Sequence, residues 1–235
     1  MKEIPDKSVD MILCDLPYGT TKCKWDSIIP FDLLWEQYDR IAKDNAAVVL
    51  FGSEPFSSQL RLSNVKNYKY DYYMRKSIAQ GFANVKKMPL KDIETISVFY
   101  KKQPTYNPQG VIRVDRVVHN SSGKVNNKKH ISGQNGGAMK EGNYIQEYTN
   151  YPKQVIDVSS RRNANHPTEK PVDICDLLIK TYTSSEGVVL DNCMGSGTTG
   201  VAAIGINRRF IGIEMDTTYC DIAKKRIQDV DSKYA

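Results

Sequence analysis

Asp15-Leu16-Pro17-Tyr18 combines a carboxylate, a backbone carbonyl pinned ahead of a proline, and an aromatic ring. That set suits chemistry at the exocyclic amine of a nucleobase. Such a nitrogen is a poor nucleophile because its lone pair is delocalised into the ring. Two acceptors, the Asp15 side chain and the Leu16 carbonyl, each taking one N–H, favour pyramidalisation and free the lone pair for in-line attack. Pro17 keeps the carbonyl aimed. Tyr18 offers a flat face on which the base can stack. A base in a duplex reaches such a pocket only by flipping out, at a cost of a few kcal/mol. On their own, the four residues equally fit an ordinary proline-terminated strand turn.

The second stretch is Asp191-Asn-Cys-Met-Gly195-Ser-Gly197-Thr-Thr-Gly200, between an apolar run and a helical pattern. Glycines let the backbone approach a ligand without a Cβ in the way. A helix N-terminus then offers free N–H groups to a carboxylate or phosphate. The next strand ends at Glu214, where a carboxylate suits the two hydroxyls of a ribose. Gly195, Gly197 and Gly200 also satisfy the dinucleotide pattern G-x-G-x-x-G. Only 21 residues follow Glu214, too few for the second nucleotide-binding half of a dehydrogenase. A ligand that needs one half, such as S-adenosylmethionine, fits better, with Asp191 on its amino group and backbone amides on its carboxylate.

These stretches need strands behind them. Val9–Leu16 and Ala46–Ser53 are apolar runs that suit strands buried on both faces, and 69–74 and 96–101 follow as two more. Phe31–Lys43 has helical spacing, with Leu34, Tyr38 and Ile41 on one face. After residue 162, helix 171–182, strand 187–191, helix 198–205, strand 209–214 and helix 219–230 alternate. The order predicts an α/β fold with a doubly wound, mostly parallel sheet. It divides the chain into 1–103, an Asn- and Gly-dense segment 104–162 whose apolar periodicity fades, and 163–235. The middle segment is expected to be a loop-rich insertion.

Charge points the same way. The net charge is +6, and residues 104–162 hold nine Lys/Arg against four Asp/Glu, which accounts for five of the six. A basic segment attracts a polyanion, although lysine-rich solvated loops are common. No apolar run reaches the roughly 18 residues of a membrane span, and Met1–Asp10 lacks the apolar core of a secretory signal. The five cysteines show no C-x-x-C pair, so free thiols are expected and zinc is not.

With both stretches in hand, the sequence resembles the β group of DNA amino-methyltransferases, which act on adenine N6 or cytosine N4. DLPYGTTKCKWD (15–26) is similar to the catalytic motif, and GFANVKKMPLKDIETISVFYK (81–101) to the later motifs of the catalytic half. HPTEKP (166–171), DNCMGSGTTGVAA (191–203) and FIGIEMD (210–216) are similar to the cofactor half. The resemblance spans nearly the whole chain and implies a Rossmann-like, S-adenosylmethionine-dependent fold. The three segments become a catalytic half, a target-recognition insertion and a cofactor half. It implies Asp15, Leu16, Pro17 and Tyr18 as catalytic residues. It implies His166, Thr168 and Lys170 near the cofactor carboxylate, beside Asp191, Met194, Gly195, Ser196, Gly197, Thr198, Thr199 and Glu214. Within the basic segment, Lys128, Lys129, Arg161 and Arg162 are the candidates for DNA contact. The implied partner is double-stranded DNA, with a homodimer and a cognate restriction endonuclease as further candidate partners and no membrane. The implied setting is the cytoplasm of a bacterium or of a phage-infected host.

Three departures stand out. Leu16 replaces the commoner proline but supplies the same carbonyl. Cys193 stands where a phenylalanine usually packs beside the cofactor, which is expected to weaken binding. Relatives usually carry an edge strand with an acidic residue ahead of the segment matching Met1–Asp10, and here it is absent, so a shortened N-terminus is expected. Adenine N6 is the leading target, because the cytosine members more often have Ser at the position of Asp15. Cytosine N4, an inactive DNA-binding remnant, and a methyltransferase acting on RNA or a protein amide stay open as alternatives.

Overall fold

In the computed structural model the apolar run ahead of Asp15 forms β1 (Val9–Asp15), near the middle of a seven-stranded sheet. The structure describes residues 1–20, 26–120, 142–158 and 170–234. Along the chain follow α1 (Phe31–Ile41), β2 (Ala42–Gly52), α2 (Phe56–Ser63), β3 (Tyr68–Gln80) and β4 (Lys91–Phe99). Then come β5 (Ile112–Asn120), β6 (Gly142–Thr149), β7 (Val155–Val158), α3 (Val172–Tyr182), β8 (Val188–Asp191), α4 (Thr198–Gly205), β9 (Arg209–Gly212) and α5 (Thr217–Tyr234). The sheet order is β7-β3-β4-β2-β1-β8-β9. All its pairings are parallel except the two made by β4, which runs against β2 and β3. The architecture is the expected α/β one, a mostly parallel Rossmann-like sheet.

Side-chain alternation along the strands builds a core on each face. Met11 and Leu13 of β1, with Val49 and Phe51 of β2, pack under Ile174, Leu178 and Ile179 of α3 and Ala202 and Ala203 of α4. Ile12 and Cys14, with Val48 and Leu50, pack under Leu34, Tyr38 and Ile41 of α1 and Phe56 and Leu60 of α2. The strand ends that carry chemistry are thus fixed from both sides.

Several elements differ from the sequence-based expectation. Helix α1 stops at Ile41, because Ala42 is already extended and pairs with Val9. Helix α2 was hidden by its polar composition, since only Phe56, Ser57 and Leu60 of its eight residues are buried. The described residues of the segment 104–162 include three strands that its composition does not suggest. Residues 108–152 form a separate unit containing the antiparallel pair β5–β6, with Ile112 opposite Thr149 and Val117 opposite Ile145. The described side chains of β5 are almost all exposed, so no buried face imposes an apolar period on it. Beyond that unit, β7 rejoins the main sheet, Val155–Val158 pairing with Tyr73–Lys76. Among the described residues no helix is long and apolar enough to cross a membrane, and no cluster of His, Cys, Asp and Glu has metal-binding geometry. Cys14, Cys175, Cys193 and Cys220 are free thiols.

Candidate active site

β1 delivers Asp15 to the edge of the sheet at the C-terminal ends of the parallel strands, where open α/β sheets bind ligands. Leu16 is 4% exposed and anchors the turn in the core that α1 covers. Gly19 has φ +67°, and a Cβ there would lie 2.9 Å from Ile28. Asp26 closes the loop, accepting hydrogen bonds from the N–H groups of Gly19 (2.8 Å) and Thr20 (2.9 Å). The Asp15-Leu16-Pro17-Tyr18 turn therefore has a buried anchor and a hydrogen-bonded frame.

The Asp15 carboxylate accepts a hydrogen bond from the Tyr18 hydroxyl on Oδ1 (2.5 Å) and from the Lys170 ammonium on Oδ2 (2.5 Å). The Tyr18 ring stacks on Phe56 with centroids 5.0 Å apart. Burial, and then the Asp15 charge, push the Tyr18 hydroxyl well above its usual pKa, so it remains a donor. Lys170 also faces Glu94 Oε2 at 3.3 Å, and its side chain is only 10% exposed. Burial alone would lower the Lys170 pKa. Asp15 and Glu94 outweigh it, and the ammonium is held above its ordinary value. Glu94 is bound from its other side by Lys76. Its burial favours the neutral acid, but Lys170 and Lys76 overcome that and hold it below the usual range. Glu94 Oε2 is buried with no aligned hydrogen bond among the described residues, so it depends on the charge of Lys170. The result is a chain of alternating charge, Lys76–Glu94–Lys170–Asp15, ending at the Tyr18 hydroxyl.

The glycine loop stands on the neighbouring strand. β8 pairs with β1 through Met11–Val189 and Ile12–Leu190, which places Asp191 beside the strand that ends in Asp15. Asp191 is 3% exposed. Its carboxylate accepts hydrogen bonds from the Thr199 hydroxyl (2.7 Å) and the Cys193 N–H (3.1 Å). Burial raises its pKa to about 6, against the opposing pull of those two donors. Gly197 begins α4 with φ +82°, and a Cβ there would meet Ala223 of α5 at 2.7 Å. Among the described residues no side chain caps α4, so its first turn keeps an N-terminus suited to an anion. At Gly195 a methyl group would meet nothing within 4 Å among the described residues, so the loop is open to them there. Glu214 lies on the loop, accepting from the N–H of Gly195 (2.8 Å) and of Asp216 (2.9 Å). Met194 donates its N–H to Ile213 (3.0 Å), which ties the loop to the chain that follows β9.

Asp15, Leu16, Pro17 and Tyr18 lie together at the end of β1. Asp191, Met194, Gly195, Ser196, Gly197, Thr198, Thr199 and Glu214 lie together beyond β8 and β9. The ammonium of Lys170, expected near the cofactor carboxylate, is bound by the carboxylates of Asp15 and Glu94, which ties it to the Asp15–Tyr18 turn. Asp191 braces the loop from within, because both its oxygens bind groups of the loop and α4. His166, Thr168, Lys128, Lys129, Arg161 and Arg162 lie outside the described residues, as does Trp25. Sequence reasoning missed Glu94, which lies within the 81–101 stretch but was not singled out there, and Lys76, which lies outside every quoted motif. It also missed Arg226 of α5, which donates to the Ser196 carbonyl (2.7 Å) and hydroxyl (2.9 Å). A lone arginine on a polar helix gives no such signal. Tyr38 was read as a core residue, and it also donates to Asn192 (2.5 Å).

The comparisons with known proteins agree with this geometry. A family model described as DNA methylase, covering the N6 and N4 methyltransferases, matches residues 9–225. The type II methyltransferase M1.MboII of Moraxella bovis is 27% identical, over 95% of this chain and 90% of its own. The DNA adenine methyltransferase YhdJ of Escherichia coli K12 is 26% identical, over 100% of this chain and 81% of its own. The solved M1.HpyAVI–SAM complex superposes with a TM-score of 0.60 at 25% identity, covering 93% of this chain and 89% of the other. The match over 9–225, together with a Rossmann-like sheet that sets the Asp-Leu-Pro-Tyr turn beside a glycine loop, places the chain in the DNA methylase family, the S-adenosylmethionine-dependent N6/N4 amino-methyltransferases.

Proposed function

We propose that this chain methylates the exocyclic N6 of adenine at a short site in double-stranded DNA, after the base has flipped out. The observation that carries the reading is the Asp15 carboxylate at the mouth of β1, held between the Tyr18 hydroxyl and the Lys170 ammonium. An aspartate at this position and the name of the E. coli relative, a DNA adenine methyltransferase, both favour adenine over cytosine.

The residues present fit S-adenosylmethionine. Space is open over Gly195, the α4 N-terminus suits the methionine carboxylate, and the Glu214 carboxylate beside Gly195 suits the ribose. When bound, the cofactor supplies an electrophilic methyl group on a sulfonium. The chain supplies the rest. Each Asp15 oxygen accepts one bond and retains a lone pair, so the carboxylate takes an amine N–H without releasing Tyr18 or Lys170. The Leu16 carbonyl takes the other N–H. As the nitrogen becomes cationic, the fixed carboxylate stabilises that charge, and it is also an acceptor for the proton the nitrogen then sheds. Lys170, anchored by Glu94, holds Asp15 in place throughout.

The unit 108–152 is the candidate target-recognition element. Lys128, Lys129, Arg161 and Arg162 are candidates for contact with the DNA backbone. A homodimer and a cognate endonuclease extend the same reading. The test is incubation of the chain with tritiated S-adenosylmethionine and unmethylated mixed-sequence bacterial DNA, followed by digestion to nucleosides. Label on N6-methyladenine is the expected result. Label on N4-methylcytosine alone would overturn the adenine assignment.

A further inference from the structure

Nine consecutive residues at the tip between β3 and β4, 81–89, are exposed. The tip is nonetheless a closed turn. Gly81 has φ +96°, Asn84 donates its N–H to the Gly81 carbonyl (2.9 Å), and Lys87 donates to Asn84 (2.8 Å). Its apolar side chains project outward: Phe82 is 67% exposed, Val85 52% and Met88 47%. Isolated apolar side chains on a surface need no explanation, but three within seven residues of one turn make a patch of the kind that marks an interaction site.

The same stretch is strongly basic. Residues 75–91 contain Arg75, Lys76, Lys86, Lys87 and Lys91 and no Asp or Glu. Arg75 pairs with Asp157 and Lys76 with Glu94. Lys86, Lys87 and Lys91 form no ion pair among the described residues. This combination discriminates between occupants. A second copy of the chain would match the apolar side chains, yet it brings a net charge of +6 to a turn already crowded with cations. A polyanion matches both features.

Position decides the rest. Lys91 lies three residues before Glu94, which faces Lys170 at 3.3 Å, and Lys170 holds Asp15 at 2.5 Å. The tip therefore projects from the same end of the sheet as the turn that would receive a flipped base, about 10 Å or more beyond Glu94 along β4. We infer that the β3–β4 tip is a duplex-DNA wedge: Lys86, Lys87 and Lys91 contact phosphates, while Phe82 and Met88 enter the base stack where the target base has left it. Apolar side chains that enter a stack in this way lower the cost of distorting the duplex, and the lysines add salt-dependent affinity. The inference rests on the DNA-methylase reading above.

The experiment uses the full chain and three variants, Phe82→Ala, Phe82→Leu and Lys86→Ala/Lys87→Ala, on fluorescent mixed-sequence duplex DNA. Because these side chains are exposed, the substitutions leave the core untouched. The double lysine variant is expected to lower the log–log salt slope of DNA affinity by about 2. Phe82→Ala is expected to lower methyl transfer to duplex DNA at least tenfold with S-adenosylmethionine affinity within twofold, and Phe82→Leu to recover part of the loss. Wild-type salt slope and transfer rate in the variants would overturn the wedge while leaving the methylase reading intact. Dissociation of a dimer by the variants on gel filtration, without a change in salt slope, would overturn it in favour of a second copy. A wild-type chain that neither binds nor labels duplex DNA would overturn the methylase reading, and the wedge with it.

Discussion

Replacing Lys170 with methionine separates the two roles this lysine could have. The substitution keeps the length of the side chain and removes a charge that is 10% exposed and lies against Asp15 at 2.5 Å and Glu94 at 3.3 Å. Removing one partner of a buried ion pair leaves an uncompensated charge, an effect of 3–5 kcal/mol. Glu94 retains Lys76, so the lower end applies, about 3 kcal/mol. For a chain of this size that corresponds to a fall in Tm of roughly 6–12 °C. The Asp15 carboxylate also loses the cation that aims it. A displacement of about 1 Å at a reacting centre costs on the order of a hundredfold in rate, or about 2.7 kcal/mol. S-adenosylmethionine affinity should change less than about twofold, because the ion pairs of Lys170 are with Asp15 and Glu94 and not with the glycine loop. Adding Glu94→Gln to Lys170→Met should recover about 1–2 kcal/mol, since the neutral amide no longer needs a counter-charge. Thermal melts, calorimetric titration with S-adenosylmethionine and single-turnover methyl transfer measure the three quantities. The sign with pH is also fixed. The folded pKa of Lys170 is raised, so its contribution is complete below the ordinary value of 10.5 and is lost as pH rises through the folded value. Glu94→Gln removes one of the two carboxylates that raise it, so the alkaline limb of the rate profile should move to lower pH. A loss of cofactor affinity equal to the loss of rate would refute this placement and return Lys170 to the cofactor. An unchanged Tm would refute the ion-pair energetics.

Asp15→Ala should abolish transfer and leave S-adenosylmethionine affinity nearly unchanged, and substantial residual turnover would contradict its role. Glu214→Ala should weaken S-adenosylmethionine binding, read by calorimetry, because it removes the ribose acceptor and frees the Gly195 N–H. Asp191 has a folded pKa of about 6, raised from 3.8. Ionising it in the folded chain is therefore unfavourable, and stability falls by about 3 kcal/mol as pH rises from about 4 to about 6. The charged form holds Thr199 and Cys193, so S-adenosylmethionine affinity should drop as pH falls through about 6, and Asp191→Asn should remove that limb. Gly197→Ala should weaken cofactor binding and destabilise the chain by about 1–3 kcal/mol, since the residue sits at φ +82° and its Cβ would lie 2.7 Å from Ala223.

The strands and helices that carry the site were legible because burial on two faces writes itself as apolar runs, and glycines at forced positions write themselves as a motif. Val9–Asp15 and Val188–Asp191 are such runs, and Gly197 is such a glycine. What was not legible depends on the third dimension. Glu94 and Lys76 join the site only because antiparallel pairing sets Met74, at the middle of β3 and two residues before Lys76, opposite Glu94. Lys170 sits within a motif, yet which carboxylate it meets is decided by how α3 packs over β1. The hairpin β5–β6 was missed because its exposed side chains carry no period, and the return of β7 to the sheet because four residues are too few to show one.

The pairing of β1 with β8 joins segments that are remote in the chain. Asp10 accepts a hydrogen bond from the Val188 N–H across 178 residues. A loop of that length closes slowly and late. During synthesis, the Asp15–Tyr18 turn emerges long before the strand that lies beside it. Until β8 arrives, Met11 and Ile12 lack the neighbour that covers one edge of β1. The nascent chain thus carries an open strand edge beside the Asp15 carboxylate, a point of vulnerability to misassociation. The Asp15 turn and the glycine loop after β8 come side by side only when that edge closes.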